Sequence, residues 1–221
     1  VEDIVPGPFW QIPGSKRWWL DQFAWPVRGW IMQQVTKLSA NNASCAENLL
    51  FADSDLVFIR PFNRDAVLRG EALRLHRLPG AMSDGMHLRW HEQAGKLLGI
   101  NPGYFGSDFI GQLITWKRSH LENLQSHIEY VHRRPWYRCV ARSLRVSEYI
   151  LYGAYIESVV GLANSGHFAC DGDLCHCCWF PADAEALSEE NASLREDAFA
   201  LLLQSNLGLS ADAEQNLMNR Y

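Results

Sequence analysis

The chain has 221 residues, 20 Lys and Arg against 25 Asp and Glu, a formal net charge of −5 and 48% hydrophobic residues. That length supplies one sizeable core or two small ones, and 20% charged residues is ordinary globular composition, which excludes a disordered chain. The negative balance favours neither nucleic acid nor an anionic membrane as partner, and the basic runs "HRRPWYR" (132–138) and "RSLR" (142–145) are short enough to read as local features.

In chain order, residues 1–28 are rich in Pro, Gly and Trp without a clean period, and read as an irregular lead-in. From Gly29 the pattern turns helical: Ile31, Val35 and Leu38 form an apolar stripe, with Gln33, Gln34 and Lys37 on an adjoining face. "NNAS" is a turn, "NLLFA" a short buried strand ending at Asp53, and "LVFIRPF" an extended run that Pro61 confines to an edge. "ALRLHRL" alternates like a strand, "DGMHLRWHEQAGKLLG" is ambiguous, and "FIGQLITW" is a further strand candidate. Ser119 and Glu122 have capping-box spacing ahead of a helix with Leu121, Leu124, Ile128 and Val131 on its apolar face, ended by Pro135. Another helix is expected from Ser147 to about Val160. "HFACDGDLCHCCWF" reads as loop and short strand, "FALLLQS" as a late strand and "SADAEQNLMNRY" as a terminal helix. Alternating helices and strands give an α/β or α+β class, and α/β is the choice: a single domain over 1–221 with its core at 29–206 and a C-terminal helix at 207–221.

No run approaches the roughly 20 apolar residues of a spanning helix, and no signal peptide is visible. The chain opens at Val1 rather than at a methionine, so residues upstream are expected. Four of six cysteines crowd into "CDGDLCHCCW" (170–179), unlike the spread framework of a secreted disulfide scaffold. Free thiols in a reducing compartment are expected, which places the protein in the cytoplasm, with the inner face of the membrane as the alternative address. A zinc site from Cys170, Cys175, Cys177, Cys178 and His167 or His176 ranks lower, because Cys175, Cys177 and Cys178 are too compressed to share one ion easily. Nine tryptophans are core and surface aromatics on the plain reading, and stacking platforms for sugars or bases on the functional one.

The chemistry centres on "ENLLFADSDLVFIRPF" (47–62), where Asp53 and Asp55 sit between two apolar runs. On a straight strand the two carboxylates would face opposite ways, whereas a turn at Asp53 lets both converge on one cation. Hard ions such as Mn²⁺ or Mg²⁺ take carboxylate oxygens and share other positions with phosphates and water, so the tip is a candidate diphosphate–metal seat. A solvated turn is the equally weighted alternative. The same stretch fits the apolar-strand–DxDx[TV] pattern of haloacid-dehalogenase-type phosphatases, with Asp53 as nucleophile. That reading needs a later Lys and a further acidic pair on a parallel sheet.

The wider segment resembles bacterial glycosyltransferase-like proteins of the GT-A nucleotide-sugar fold, and within them a largely uncharacterised domain family. The resemblance rests on Gly29, Trp30, Gln33, Gln34 and Lys37; on Asp53, Asp55, Arg60 and Pro61; on "GQLITW" (111–116) and "SEYILYG" (147–153); on His176 before Trp179; and on Gln204 and Ser205. It covers about residues 25–206 in the expected order. It implies a GT-A-like fold whose N-terminal nucleotide-binding half is short or absent, since only 52 residues precede Asp53 and none reads as a nucleotide-binding βαβ unit. It also implies transfer of a sugar from a nucleotide-diphosphate sugar donor to a hydroxyl acceptor, taken as a saccharide, with Mn²⁺ or Mg²⁺ on Asp53, Asp55 and His176. Lys37, with Gln33 and Gln34, would meet the diphosphate; Glu148 or Asp108 would orient or deprotonate the acceptor. Plain alternatives are a solvated helix face for the first three, a helix-dipole partner for Glu148 and a loop cap for Asp108. Tyr149 and Tyr152 read as packing residues. The expected geometry places His176 beside the aspartates and Glu148 across the cleft from them, because crowded carboxylates raise one another's pKa. A non-catalytic sugar-binding or scaffold protein is the third class.

Overall fold

The computed structural model of the chain describes residues 4–15, 17–189, 193–204 and 207–220. The stretch expected as an irregular lead-in carries a three-stranded antiparallel sheet of β1 (Phe9–Gln11), β2 (Trp18–Asp21) and β3 (Pro26–Arg28). Three or four residues per strand are too few to establish a period, so the alternation shows only in the fold. Phe9, Asp21 and Val27 are buried, whereas Trp10 and Trp18 are exposed. Next, α1 (Gly29–Leu38) buries Ile31, Val35 and Leu38, the stripe seen in the sequence.

Two short strands, β4 (Asn48–Phe51) and β5 (Leu56–Phe58), flank the aspartates. The first is half-exposed rather than buried: Leu49 faces the core and Leu50 faces out. Further on come β6 (Leu68–Arg69), β7 (Ala72–His76), β8 (Leu78–Pro79) and, from the ambiguous segment, α2 (Gly85–Leu98). Gly99 (φ 66) closes that helix in the left-handed conformation typical of a glycine C-cap.

The "FIGQLITW" strand is shorter than expected. β9 (Ser107–Asp108) pairs with β8, and β10 covers only Ile114–Lys117, because Leu113 at φ 54 breaks the extended run. α3 (Arg118–His132) begins one residue before Ser119, so the expected capping box does not form. Instead Ser119 Oγ donates to the Glu47 carboxylate, and Arg118 N donates to Glu47 O at 2.7 Å. Leu121, Leu124 and Ile128 are buried as the stripe requires, and the helix stops before Pro135. A short α4 (Trp136–Ala141) leads to α5 (Glu148–Tyr155), continued by a π-helical turn over Ile156–Val160. β11 (His167–Cys170) and β12 (Cys175–Cys178) precede α6 (Pro181–Ser188), β13 (Ala200–Leu203) and α7 (Ala211–Arg220).

β4 pairs antiparallel with β10, and β7 lies between β6, antiparallel, and β11, parallel. β10 and β7 are neighbours through Thr115 Oγ1, which donates to Arg74 O at 2.5 Å. β13 is parallel to β12 and antiparallel to the edge strand β5. A large apolar cluster packs α1, α3 and α5 around Trp116, whose ring stacks on Tyr152 at 4.8 Å. The two faces of β13 enter two smaller clusters, Leu201 and Leu203 on one side and Ala200 and Leu202 on the other. The architecture is mixed α/β, with several small sheets and seven α-helices among the described residues. No described helix is long and apolar enough to cross a membrane, and all six cysteines are free thiols.

Candidate functional site

A cleft of about 850 Å³ opens between α1, the β4–β5 turn, the start of α5 and the ends of β12 and β13. Leu56 N donates to Asp53 O at 3.3 Å, closing a turn, and both aspartates line the cleft. The turn overcomes the strand alternation that would have sent them to opposite faces. Asp53 has both oxygens engaged: Oδ1 accepts from Lys37 Nζ at 2.8 Å and Oδ2 from Gln112 Nε2 at 3.0 Å. The Asp55 carboxylate takes no hydrogen bond or ion pair from a described residue, although Leu203 N donates to its backbone oxygen at 3.4 Å.

Lys37 is the electrostatic node. Its ammonium reaches Asp53 Oδ1 and Tyr149 Oη at 2.8 Å and Glu148 Oε1 at 3.0 Å. Burial works against this cation, but the Glu148 charge, Tyr149 and Asp53 together raise its pKa above that of a free lysine. Burial would raise the Asp53 carboxyl, and Lys37 and Gln112 overcome it and hold the group below its ordinary value. Glu148 is deeper, with its side chain 4% exposed, and burial keeps its pKa raised despite Lys37. Tyr149 is raised by burial, with Lys37 opposing.

Local structure explains the convergence. Lys37 lies in the last turn of α1, a favourable end for a cation. Glu148 is the first residue of α5, and its N–H, one of the unpaired amides of a helix start, donates to Gln34 Oε1 at 3.2 Å. Gln34 thus caps α5 from α1, while its Nε2 donates to Trp30 O at 3.1 Å. Gln112 is set by the kink at Leu113, and behind it Gly111 packs so closely that a Cβ there would lie 3.1 Å from His76 Nε2 and 3.2 Å from Asp173 Oδ2. Left-handed non-glycine backbone of this kind is costly and concentrates at functional sites.

The remaining walls are aromatic and amide. Trp30 and Trp90 stack at 5.8 Å, Trp19 and Trp179 join them, and Gln11, Gln33 and Gln204 supply further amides. Asp183 Oδ2 accepts from Trp179 N at 2.9 Å and Phe180 N at 2.8 Å, which fixes the backbone beneath the Trp179 ring.

Asp53, Asp55, Glu148, Lys37, Gln33 and Gln34 therefore share one cleft, and three placements differ from expectation. Glu148 is not across from the aspartates: it shares one ammonium with Asp53, and that cation relieves the carboxylate repulsion. His176 is not among the cleft-lining residues. The cleft end of its sheet lies where Asp55, Leu203 and Cys178 meet, while His176 pairs with Leu201, two residues back, so β12 delivers Trp179 instead. His176 Nδ1 faces Arg195 N at 3.5 Å, and burial followed by the Arg195 charge lowers its pKa. Asp108 is also outside the cleft. It is buried on β9 against His87 Nδ1 at 3.3 Å, and burial raises its carboxyl pKa. Tyr149 is more than a packing residue, since its hydroxyl accepts from Lys37. Gln112 was hidden within "GQLITW", where only the positive φ of its neighbour turns it towards Asp53. Ser205, paired with Gln204 in the sequence motif, lies outside the described residues.

Among the described residues no group of three or more His, Cys, Asp or Glu could hold a metal by itself. Two carboxylates at one turn, one without a partner among the described residues, suit a different case: Mg²⁺ and similar ions are commonly held by one or two carboxylates and completed by ligand phosphates and water. Asp55 would be the open ligand in that arrangement, with Asp53 as its neighbour.

The fold and cleft define a mixed α/β protein with an acidic, aromatic-walled cleft organised around one lysine. The chain belongs to the family of unknown function DUF6492, whose model matches residues 11–221. No curated protein and no solved structure matches it.

Proposed function

We propose that the protein is a glycosyltransferase of GT-A-like fold that moves a sugar from a nucleotide-diphosphate donor to a saccharide hydroxyl. The observation that carries this reading is the junction of Asp53, Asp55, Glu148 and Lys37 in one cleft walled by Trp30, Trp90 and Trp179. Aromatic faces suit the apolar faces of sugar rings, and glutamine amides suit their hydroxyls. Asp53 and Asp55 would hold Mn²⁺ or Mg²⁺, which when bound supplies positive charge to the leaving diphosphate. Lys37 adds a fixed cation beside it. Glu148, whose pKa burial raises, takes the proton as the acceptor oxygen bonds to the anomeric carbon. The bond from that carbon to the diphosphate oxygen breaks in the same transfer. A cytoplasmic address goes with this reading.

β4 runs antiparallel to β10, and the lysine on Asp53 precedes it in the chain. Both observations tell against the phosphatase reading, which needs a parallel sheet and a later lysine. The test is a thermal-shift and transfer screen with nucleoside diphosphates and their sugars. A nucleoside diphosphate with Mn²⁺ is expected to raise the melting temperature, since a ligand of the folded state stabilises it, and Asp55→Ala should abolish the metal-dependent part. Binding of free saccharide with no nucleotide or metal effect would favour a sugar-binding protein instead.

A further inference from the structure

We propose a second site, distinct from the acidic cleft, at which the protein docks on a membrane surface by binding the phosphate of an anionic phospholipid headgroup. A separate cavity of about 600 Å³ is lined by Arg134, Arg138 and Arg142, with Gln93 and His132 beside them. Arg138 and Arg142 are one helical turn apart at the end of α4, and Arg134, just before the helix, lines the same cavity. None of them donates a side-chain hydrogen bond to, or forms an ion pair with, a described residue. The nearby carboxylate of Glu129 accepts from Trp136 N at 3.1 Å instead. Three guanidinium groups without an ion-pair partner among the described residues surround one cavity, in a chain of net charge −5, and form a local anion site. The planar guanidinium fork suits phosphate oxygens.

What selects a lipid as the source of that phosphate is the apolar surface beside the arginines. Arg138 lies 4.6 Å over the ring of Phe23, and Arg142 lies 5.6 Å over Trp25. Phe23 is 61% exposed and Trp25 48%, and Leu144, two residues after Arg142, is 70% exposed. The rings are held out by a built turn: Phe23 N and Trp25 N both donate to Asp21 Oδ1 at 2.9 Å, and Ala24 takes a left-handed φ of 56. A soluble phosphate would need the arginines alone. Exposed aromatic rings fixed directly under them match the interfacial layer of a bilayer, where aromatic rings sit at headgroup level and basic residues meet anionic lipid.

The experiment is co-sedimentation of the full chain with phosphatidylcholine vesicles with and without phosphatidylglycerol, at low and high salt. Binding is expected only with phosphatidylglycerol and to weaken with salt. Arg134→Ala, Arg138→Ala and Arg142→Ala combined should reduce partitioning by about a hundredfold, roughly fivefold for each arginine. Phe23→Ser with Trp25→Ser should also reduce it while the arginines remain. The triple Arg→Lys variant keeps the charge but not the planar fork and should bind between the wild type and the alanine triple variant, which separates the site from a folding defect; melting temperatures check both sets. No binding to anionic vesicles, or binding unchanged in the alanine triple variant, overturns the proposal. Stabilisation by inorganic pyrophosphate through the same arginines, without vesicle binding, would identify a free-anion site and overturn the lipid assignment.

Discussion

Lys37 joins three oxygens from two distant segments, and its removal should show how much of the cleft depends on one cation. Lys37→Ala would leave Glu148 buried without its counter-charge. Breaking one side of such a pair is far costlier than the pair's net contribution, so a loss of about 3 kcal/mol in chemical denaturation is expected, at the low end of the range because Lys37 is a quarter exposed. Glu148→Gln added to Lys37→Ala should recover part of that loss, because the amide carries no charge to strand; additivity of the two changes in a double-mutant cycle would disprove the coupling. Two buried histidines make a separate prediction. His91 is fully buried against Tyr104, Phe105 and Phe109 with neither ring nitrogen hydrogen-bonded to a described residue, and burial followed by the His87 charge lowers its pKa to about 4. Burial, then the His120 charge, lowers His167 to about 3. The unfolded chain takes up these protons near pH 6.5 and the folded chain does not. Their contribution is therefore present above pH 6.5 and lost as pH falls from there towards 4 and 3. At about pH 5 each should cost roughly 2 kcal/mol of stability. His91→Phe should flatten the dependence of melting temperature on pH between about 7 and 5; an unchanged slope would mean that His91 protonates inside the fold.

At the scale of elements, α5 carries both packing and chemistry. Its first residue is Glu148, and every residue from Glu148 to Tyr155 is buried. Gly153 permits this burial, because a Cβ there would fall 2.2 Å from Phe109 Cγ and 2.3 Å from Cδ1. The ring of Phe109 is itself buried and has nowhere to go. Gly153→Ala should therefore destabilise by about 2 kcal/mol or more despite alanine's better helix propensity, the signature of overpacking. Phe109→Leu in the same chain should relieve part of the loss, and unfolding curves of the single and double variants will test it. The sequence signals for α5 were strong: an apolar run opened by Ser147 and Glu148. Those for β10 were misleading, because "FIGQLITW" is mostly apolar while its backbone turns at Leu113. Apolar content alone does not report a positive φ at a residue with a side chain.

Over the whole molecule, apolar burial is uneven. The large cluster draws on α1 to α5, whereas among the described residues α6 and α7 bury Ala184, Leu187 and Leu217 in a smaller one, with Met218 packed against it. Local stability follows the density of buried apolar contact, so amides of α3 and α5 should exchange with solvent most slowly and those of α6 and α7 much faster. Equal protection in hydrogen-exchange mass spectrometry would mean that the small clusters are as cooperative as the large one. The unevenness bears on function, because Trp179 and Gln204 reach the cleft from the side built on the smaller clusters.

The sequence by itself determined the apolar stripe of α1, the strand–turn–strand around Asp53 and Asp55, the start of α5 at Glu148, and the late strand and helix. Each is encoded within a few residues by period, turn chemistry or helix-start residues, which act over short distances. It also marked six residues that meet in the cleft: Gln33, Gln34, Lys37, Asp53, Asp55 and Glu148. Only the tertiary structure decided that Lys37 stands between Asp53 and Glu148, that β12 brings Trp179 rather than His176 to the cleft, and that Arg134, Arg138 and Arg142 surround one cavity beside Phe23 and Trp25. Those outcomes depend on strand register and on pairs far apart in the chain. Both are set by how whole elements pack, and a one-residue change of register would exchange the faces while leaving every local pattern intact.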